Sequence, residues 1–138
     1  MKTKLLRTGL VAAALTIFFG AVPVMAHHSF DMFDMTKQIT LTGTIKDFQW
    51  TNPHTWTFID VPNDKGGVDT WGIEGMSPNF LGRRGWTKRT LNPGDKVTIA
   101  IFPLKDGQKG GTFLHCTLAD GKEMVMFDSP PRAQPTAK

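Results

Sequence analysis

Residues 48–58 read Phe-Gln-Trp-Thr-Asn-Pro-His-Thr-Trp-Thr-Phe, and this stretch joins two strand-like runs through an Asn-Pro-His corner. A proline has no backbone donor and disfavours the helical region for the residue before it, so Asn52-Pro53 predicts a turn. His54 then starts the next strand at an exposed rim, between Trp50 and Trp56. The corner is therefore expected to hold a histidine between two tryptophans.

Strand patterns lie on both sides of this corner. Before it, Ile39, Leu41 and Ile45 alternate with polar residues, as in a half-buried strand, and Gly43 predicts a bend or bulge. After it, the pattern predicts strands at 54–61 and 68–74, a short helix from Ser77-Pro78, strands at 97–102 and 112–118, and an extension at 123–127. This order predicts an all-β fold with one short helix, a small five-stranded closed barrel like the oligonucleotide/oligosaccharide-binding (OB) barrel. An open antiparallel β-sandwich is the alternative.

The run from Thr112 to Leu118 contains Cys116, the single cysteine, so no intramolecular disulfide can form. Strict alternation places Cys116 on one face with Leu114 and Leu118. It places His115 on the opposite face with Phe113, away from the barrel core. A buried structural thiol is the expected state of Cys116.

The chain begins with features of a secretory signal peptide. A basic start is followed by an apolar run from Leu10 to Val24 and by a small-x-small cleavage pattern that ends at Ala26. Processing would leave a mature protein that begins at His27, with no transmembrane anchor, in the periplasm or secreted. The predicted organisation is a signal peptide at 1–26, an extended segment at 27–38, an OB-like barrel at 39–127 and a disordered tail at 128–138.

The charge of the mature chain is close to balanced. Three cations, Lys2, Lys4 and Arg7, belong to the signal peptide, and their removal lowers Lys plus Arg from 16 to 13 against 12 acidic residues. A phosphate-binding surface needs several clustered cations. The sequence therefore predicts no nucleic-acid partner, and a small molecule or a periplasmic protein is the expected partner.

Five short motifs carry a resemblance to a known family: residues 26–30 (Ala-His-His-Ser-Phe), residues 48–54, residues 71–75 (Trp-Gly-Ile-Glu-Gly), Gly85-Trp86 and residues 91–97. Together they resemble the exported bacterial family of unknown function DUF6152, over nearly all of the mature chain. The resemblance implies a small secreted or periplasmic domain. It supplies no catalytic residues.

Processing would also create the sharpest chemical feature of the chain. Cleavage after Ala26 would give His27 a free α-amine beside its own imidazole, with His28 next to it, and copper(II) favours such sets of nitrogen ligands. A third nitrogen from His54 or His115 would complete the site. The alternative is that His27 and His28 form a solvated end, that His54 caps the turn and that His115 is solvated.

The corner offers a second kind of site. Trp50 and Trp56, with Asn52 between them, are candidates to stack on a sugar, a base or a flat cofactor, because OB barrels often bind ligands across their second and third strands. No pairing of acidic residues and no activated nucleophile indicates catalysis. The expected function is a non-catalytic periplasmic binding module that holds copper or, alternatively, binds a small molecule or protein at the Trp50, His54 and Trp56 corner without metal.

Overall fold

The computed structural model describes residues 30–127 of the chain. Six strands and one short helix follow each other along it: β1 (Ile39–Gln49), β2 (Trp56–Pro62), β3 (Val68–Glu74), α1 (Pro78–Gly82), β4 (Lys96–Pro103), β5 (Gly110–Leu118) and β6 (Glu123–Val125). The predicted elements are all present, with boundaries that differ by a few residues.

One long strand, β1, holds the sheet together. Its first half pairs with β4, from Ile39 opposite Ile101 to Thr44 opposite Lys96, and its second half pairs with β2, from Thr44 opposite Asp60 to Gln49 opposite Trp56. The remaining neighbours are β2 with β3 and β4 with β5, all antiparallel. A parallel pairing of β3 with β5 closes the ring. The predicted closed five-stranded barrel is confirmed, and the alternative of an open sandwich is wrong.

The barrel interior is filled by apolar side chains from all five of its strands. The strand residues that join this core are almost fully buried: Leu41, Ile45, Ile59, Ile73, Val97, Ile99, Ile101, Phe113 and Cys116. Leu81 of α1 joins this core, as do Trp86, Leu91, Met124 and Met126. Burial of such side chains is the main stabilising contribution in a chain with one cysteine.

The bulge of β1 does not lie at Gly43, where a bend or bulge is predicted. The register of β1 against β2 shifts between Ile45 and Asp47, so the bulge lies beyond Gly43. A Cβ at Gly43 would collide with the backbone oxygen of Asp60, which lies on the neighbouring strand β2. The glycine therefore permits a close backbone approach, which is the second reason for glycine inside a strand.

Helix α1 begins as the sequence predicts. Ser77 is the N-cap residue, its Oγ accepts from the backbone N–H of Phe80 at 3.4 Å, and Pro78 follows in the first turn. The backbone then turns through Gly85, which has a positive φ of 81°, and this turn brings Trp86 into the core. The Trp86 indole N–H donates to the Val125 carbonyl oxygen at 2.8 Å and ties β6 to the barrel.

A second apolar cluster lies on the outer side of β4 and β5. It contains four buried residues, Phe33, Ala100, Phe102 and Leu114. Phe33 belongs to residues 30–37, which form hydrogen-bonded turns where an extended segment is predicted, and which contact the barrel through a bridge to Leu104. The segment thus covers apolar surface that the strands would otherwise expose.

This cluster explains an error in the predicted faces of β5. The register against β4 shifts between Ala100 and Ile101, so Leu114 is an extra residue and turns outward to the second cluster. Phe113 and Cys116 both point into the barrel. The prediction that Leu114 shares a face with Cys116, and Phe113 with His115, is wrong because a β-bulge resets the alternation. Burial raises the pKa of the Cys116 thiol to about 12.

Several predictions fall on residues outside 30–127: the signal peptide, His27, His28 and the tail at 128–138. Within the described range, no helix is long and apolar enough to cross a membrane.

Candidate functional site

The Asn-Pro-His corner connects β1 to β2 and lies against the end of β3. The Asn52-Pro53 peptide bond is cis, and Asn52 is exposed. The Thr51 hydroxyl donates to the His54 carbonyl oxygen at 3.0 Å. Two backbone hydrogen bonds join the next residue, Thr55, to the segment after β3. The Gly75 N–H donates to the Thr55 carbonyl oxygen at 2.8 Å, and the Thr55 N–H donates to the Met76 carbonyl oxygen at 3.2 Å. The corner is therefore held on both sides.

The His54 ring is fixed by two acceptors. Its Nδ1 lies 3.1 Å from the Gly75 carbonyl oxygen and 3.1 Å from Oε1 of Glu74. A carbonyl and an ionised carboxylate can only accept hydrogen bonds, so Nδ1 carries a proton. In the neutral ring this assigns the lone pair to Nε2. His54 thus carries a nitrogen acceptor on a side chain that is 34% exposed.

Trp56 and Phe58 form an aromatic pair beside this histidine. Their ring centroids are 6.4 Å apart and the rings are inclined by 19°, and Trp56 is among the most exposed large apolar residues described. Trp56 lies opposite Glu74, and Phe58 lies opposite Gly72, on the neighbouring strand. Because Gly72 has no side chain, the Phe58 ring occupies the space above it. The outer face of β2 and β3 therefore carries a flat apolar patch that ends at the His54–Glu74 pair.

Trp50 does not belong to this patch. It packs against the barrel core and meets Phe48 edge-on, with ring centroids 5.9 Å apart. The three residues predicted to bind a ligand are thus divided: Trp56 faces outward in the patch, Asn52 is exposed in the turn, and Trp50 closes the barrel end.

Glu74 belongs to the candidate site, although the sequence pattern did not single it out. Its side chain is 15% exposed, and its carboxylate lies beside His54. A signal for it exists in the hairpin between β2 and β3, where a five-residue connection places Pro62 opposite Val68. Counting back from that pair puts Trp56 opposite Glu74 and so brings Glu74 next to the corner.

His115 lies at a separate place, on the outer side of β5. It pairs with Val125 of β6, and its Nδ1 is buried, makes no hydrogen bond within residues 30–127, and is 3.8 Å from Oε1 of Glu123. Between residues 30 and 127 there is no group of three His, Cys, Asp or Glu side chains that could hold a metal ion. The predicted metal site would thus need His27 or His28, which lie outside the described residues.

Comparison with known proteins places the chain in a family. A family model described as a family of unknown function, DUF6152, matches residues 11–114. The chain belongs to the DUF6152 family. The resemblance seen in its short motifs is thereby confirmed. No curated protein matches this DUF6152 chain.

One solved structure is similar to this DUF6152 protein, the mitochondrial single-stranded DNA binding protein Rim1 from S. cerevisiae. The identity is 14%, the TM-score is 0.42, and the match covers 60% of this chain and 94% of the Rim1 chain. This finding contradicts the predicted partners, which excluded nucleic acid on the ground of charge, and that exclusion is withdrawn. A likeness at this level carries no argument about what the DUF6152 protein binds.

Proposed function

We propose that this protein is an exported, non-catalytic binding module whose ligand presents a flat ring to the outer face of β2 and β3. The observation that carries the proposal is the Trp56–Phe58 pair, an exposed aromatic surface bordered by a polar histidine–carboxylate pair. Such a combination of an apolar platform with a few fixed polar groups is typical of ligand sites.

The aromatic pair supplies affinity through stacking. Stacking on an aromatic side chain contributes about 1–3 kcal/mol per base or similar ring, and it tolerates different rings because each has a flat face. The Trp56 ring already stacks against Phe58, so little side-chain motion is lost on binding.

The polar pair supplies orientation. Because Nδ1 of His54 donates to Glu74 and Gly75, its Nε2 can accept a hydrogen bond from a donor group on the ring of the ligand. Glu74 keeps that tautomer in place. A ligand with a flat ring and a hydrogen-bond donor at its edge fits these two features.

The test uses three probes that each contain a ring but differ in chemistry. Adenosine and indole have flat aromatic rings, and methyl glucoside has a puckered sugar ring. Contact with the patch is detected through the indole N–H signals of the four tryptophans in NMR spectra, with the Trp56 signal assigned from Trp56→Phe. The affinities of the native chain and of the variants are measured by titration calorimetry, which does not need the Trp56 signal. At least one probe should shift the Trp56 signal, and Trp56→Ala should weaken its binding by about tenfold or more.

The matched control is Val68→Ala, which truncates another exposed apolar residue at the far end of β3. It should leave binding unchanged. The proposal fails if none of the three rings shifts the Trp56 signal, or if Trp56→Ala and Val68→Ala bind the probe equally well.

A second candidate function, copper binding, is supported by the state of His54. Histidines that bind metals commonly donate the other ring N–H to a carboxylate or a backbone carbonyl, and His54 Nδ1 has both partners. Its Nε2 would join the α-amine and imidazole of a processed His27, a nitrogen set suited to copper(II).

The copper candidate is tested on the exported protein by mass spectrometry with and without copper(II). The expected result is a chain that begins at His27 and binds one copper ion. One extra residue before His27, or His54→Gln, should weaken binding sharply, whereas His115→Gln should not. Equal copper binding by the extended and the native chains would overturn this candidate.

A further inference from the structure

A cavity of about 260 Å³ lies at the end of the barrel where β1 starts and β4 ends. Its walls come from three regions: the turn segment before β1, the middle of β3, and the connection between β4 and β5. None of its lining residues belongs to the Trp56 patch or to the Asn-Pro-His corner. The mouth of a β-barrel is a common place for small-molecule sites.

The apolar part of the cavity is formed by Ile39, Trp71 and Leu104. All three are half-buried, and Ile39 and Trp71 pack against the barrel core, so the wall is backed by tightly packed side chains. Trp71 supplies a broad ring at this wall. The volume is slightly below the range of about 300–1,000 Å³ that is typical of ligand pockets, which fits a compound with a single ring.

The charged part is formed by Lys37, Lys105 and Asp34. Oδ1 of Asp34 accepts hydrogen bonds from the Thr36 hydroxyl at 2.6 Å and from the Thr36 backbone N–H at 3.1 Å. These bonds, with smaller contributions from Lys105 and Lys37, lower the pKa of Asp34, so it is ionised at neutral pH. Two cations and one anion leave the cavity with a net positive charge.

Backbone contacts hold the charged residues in position. The Asp34 N–H donates to the Pro103 carbonyl oxygen at 2.8 Å, and the Lys105 N–H donates to Met32 at 2.9 Å. These two bonds join the turn segment to the β4–β5 connection on either side of the Phe33–Leu104 bridge. The backbone positions of Asp34 and Lys105 at the cavity are therefore set by contacts between the two segments.

We propose that this cavity binds a small organic anion with a single ring, such as a monocyclic aromatic carboxylate. The ring lies against Trp71 and Leu104, and the carboxylate points towards Lys37 and Lys105. A lysine side chain is a flexible point charge, which suits a carboxylate that sits at the cavity rim. This site is separate from the one proposed on the face of β2 and β3, and neither depends on the other.

The experiment uses benzoate as the probe, benzamide as the uncharged ring of the same shape and acetate as the ringless anion. Titrations are followed in NMR spectra through the four indole N–H signals, with Trp71 assigned from Trp71→Phe. Benzoate should shift the Trp71 signal. Benzamide and acetate should each bind about five- to tenfold more weakly, since each lacks one of the two contributions.

The variants separate charge from fold. Lys37→Gln with Lys105→Gln should weaken benzoate binding by about tenfold and remove its preference over benzamide, because both cations are lost. Lys88→Gln, which removes an exposed cation beyond the cavity, should leave benzoate binding unchanged.

Three results would overturn the proposal: no shift of the Trp71 signal up to the solubility limit of benzoate, equal affinity for benzoate and benzamide, or unchanged benzoate binding by the double lysine variant. A shift confined to Trp56 would assign benzoate to the face of β2 and β3 and would also refute the cavity site.

Discussion

Two histidines of this barrel each lie next to a glutamate on a neighbouring strand, but within residues 30–127 only one of the two rings is held in place by a hydrogen bond from its Nδ1. His54 Nδ1 is 3.1 Å from the Glu74 carboxylate and has a second acceptor in the Gly75 carbonyl oxygen. His115 Nδ1 is 3.8 Å from the Glu123 carboxylate and makes no hydrogen bond within residues 30–127, although the atom is buried.

The strands that carry the two glutamates explain the difference. Glu74 ends β3, a seven-residue strand paired on both edges, and its side chain is only 15% exposed. Glu123 starts β6, a three-residue strand outside the barrel, and its side chain is 67% exposed. A histidine next to a carboxylate thus becomes a fixed donor only where the fold restrains both groups. The candidate site lies at the restrained pair.

Gly75→Ala should disrupt the restrained His54–Glu74 pair and cause the largest loss of unfolding free energy. A Cβ at Gly75 would collide with the Met126 sulfur and the Thr55 hydroxyl, both of which are buried. Overpacking of this kind costs about 1–3 kcal/mol of unfolding free energy, and movement of Gly75 would withdraw the acceptor from His54. Urea unfolding followed by tryptophan fluorescence measures the loss.

The control for this variant is Gly82→Ala, in α1, where no atom lies within 4 Å of the added Cβ. It should leave stability unchanged or raise it slightly, because alanine favours a helix. Equal stabilities of the two variants would show that the end of β3 accommodates the added methyl group and does not restrain the pair.

Cys116 tests how tightly β5 is packed, because it follows His115 on this strand and is buried in the barrel core. Its raised pKa of about 12 means that the folded state holds the thiol proton more tightly than the unfolded chain does. The resulting stability is complete below the unfolded pKa of about 8.5 and is lost as the pH rises towards 12. Between pH 7 and pH 10 the thiol should therefore cost the protein about 1–2 kcal/mol of unfolding free energy.

The measurement compares unfolding free energies at pH 7 and pH 10 for the native chain and for Cys116→Ala. The variant starts from a lower stability because a buried group is missing, but its loss between the two pH values should be smaller by the contribution of the thiol. If both chains lose the same amount, the thiol titrates normally and β5 is less tightly packed there.

The fold could be predicted from the sequence because its evidence is local. Alternation along β1, the turn at residues 62–67 and the Ser77-Pro78 helix start each act within a few residues, and the order of elements then indicates the OB-like barrel. The faces of β5 could not be predicted. Phe113 and Leu114 are both apolar and both buried, and the bulge in the register against β4 decides which of them enters the barrel. Leu114 instead joins a cluster with Phe33, about eighty residues earlier in the chain.

The site was predicted in part for the same reason. His54 and Trp56 follow from the Asn-Pro corner and the strand pattern after it. Trp50 was placed at the site because it precedes the corner, yet it packs against Phe48 and the core, since the closed barrel needs a large ring at that end. Glu74 lies eighteen residues beyond Trp56, and its contact with His54 depends on the register of a hairpin, which local patterns do not give.

The smallest expected effect comes from replacing each histidine by leucine. His54→Leu removes a hydrogen bond and leaves the Gly75 carbonyl oxygen and the Glu74 carboxylate without their donor, so it should cost about 0.5–1.5 kcal/mol of unfolding free energy. His115→Leu removes a buried nitrogen that makes no hydrogen bond, so stability should stay the same or rise.

Measurement at alkaline pH, where imidazoles are neutral, separates these hydrogen-bond effects from charge. Nitrogen NMR of the same samples should find the His54 proton on Nδ1, because both of its neighbours can only accept. If His54→Leu costs no more than His115→Leu, or if the His54 proton is on Nε2, then Glu74 does not orient the ring. The corner would in that case keep its aromatic platform and lose the polar group that orients a ligand.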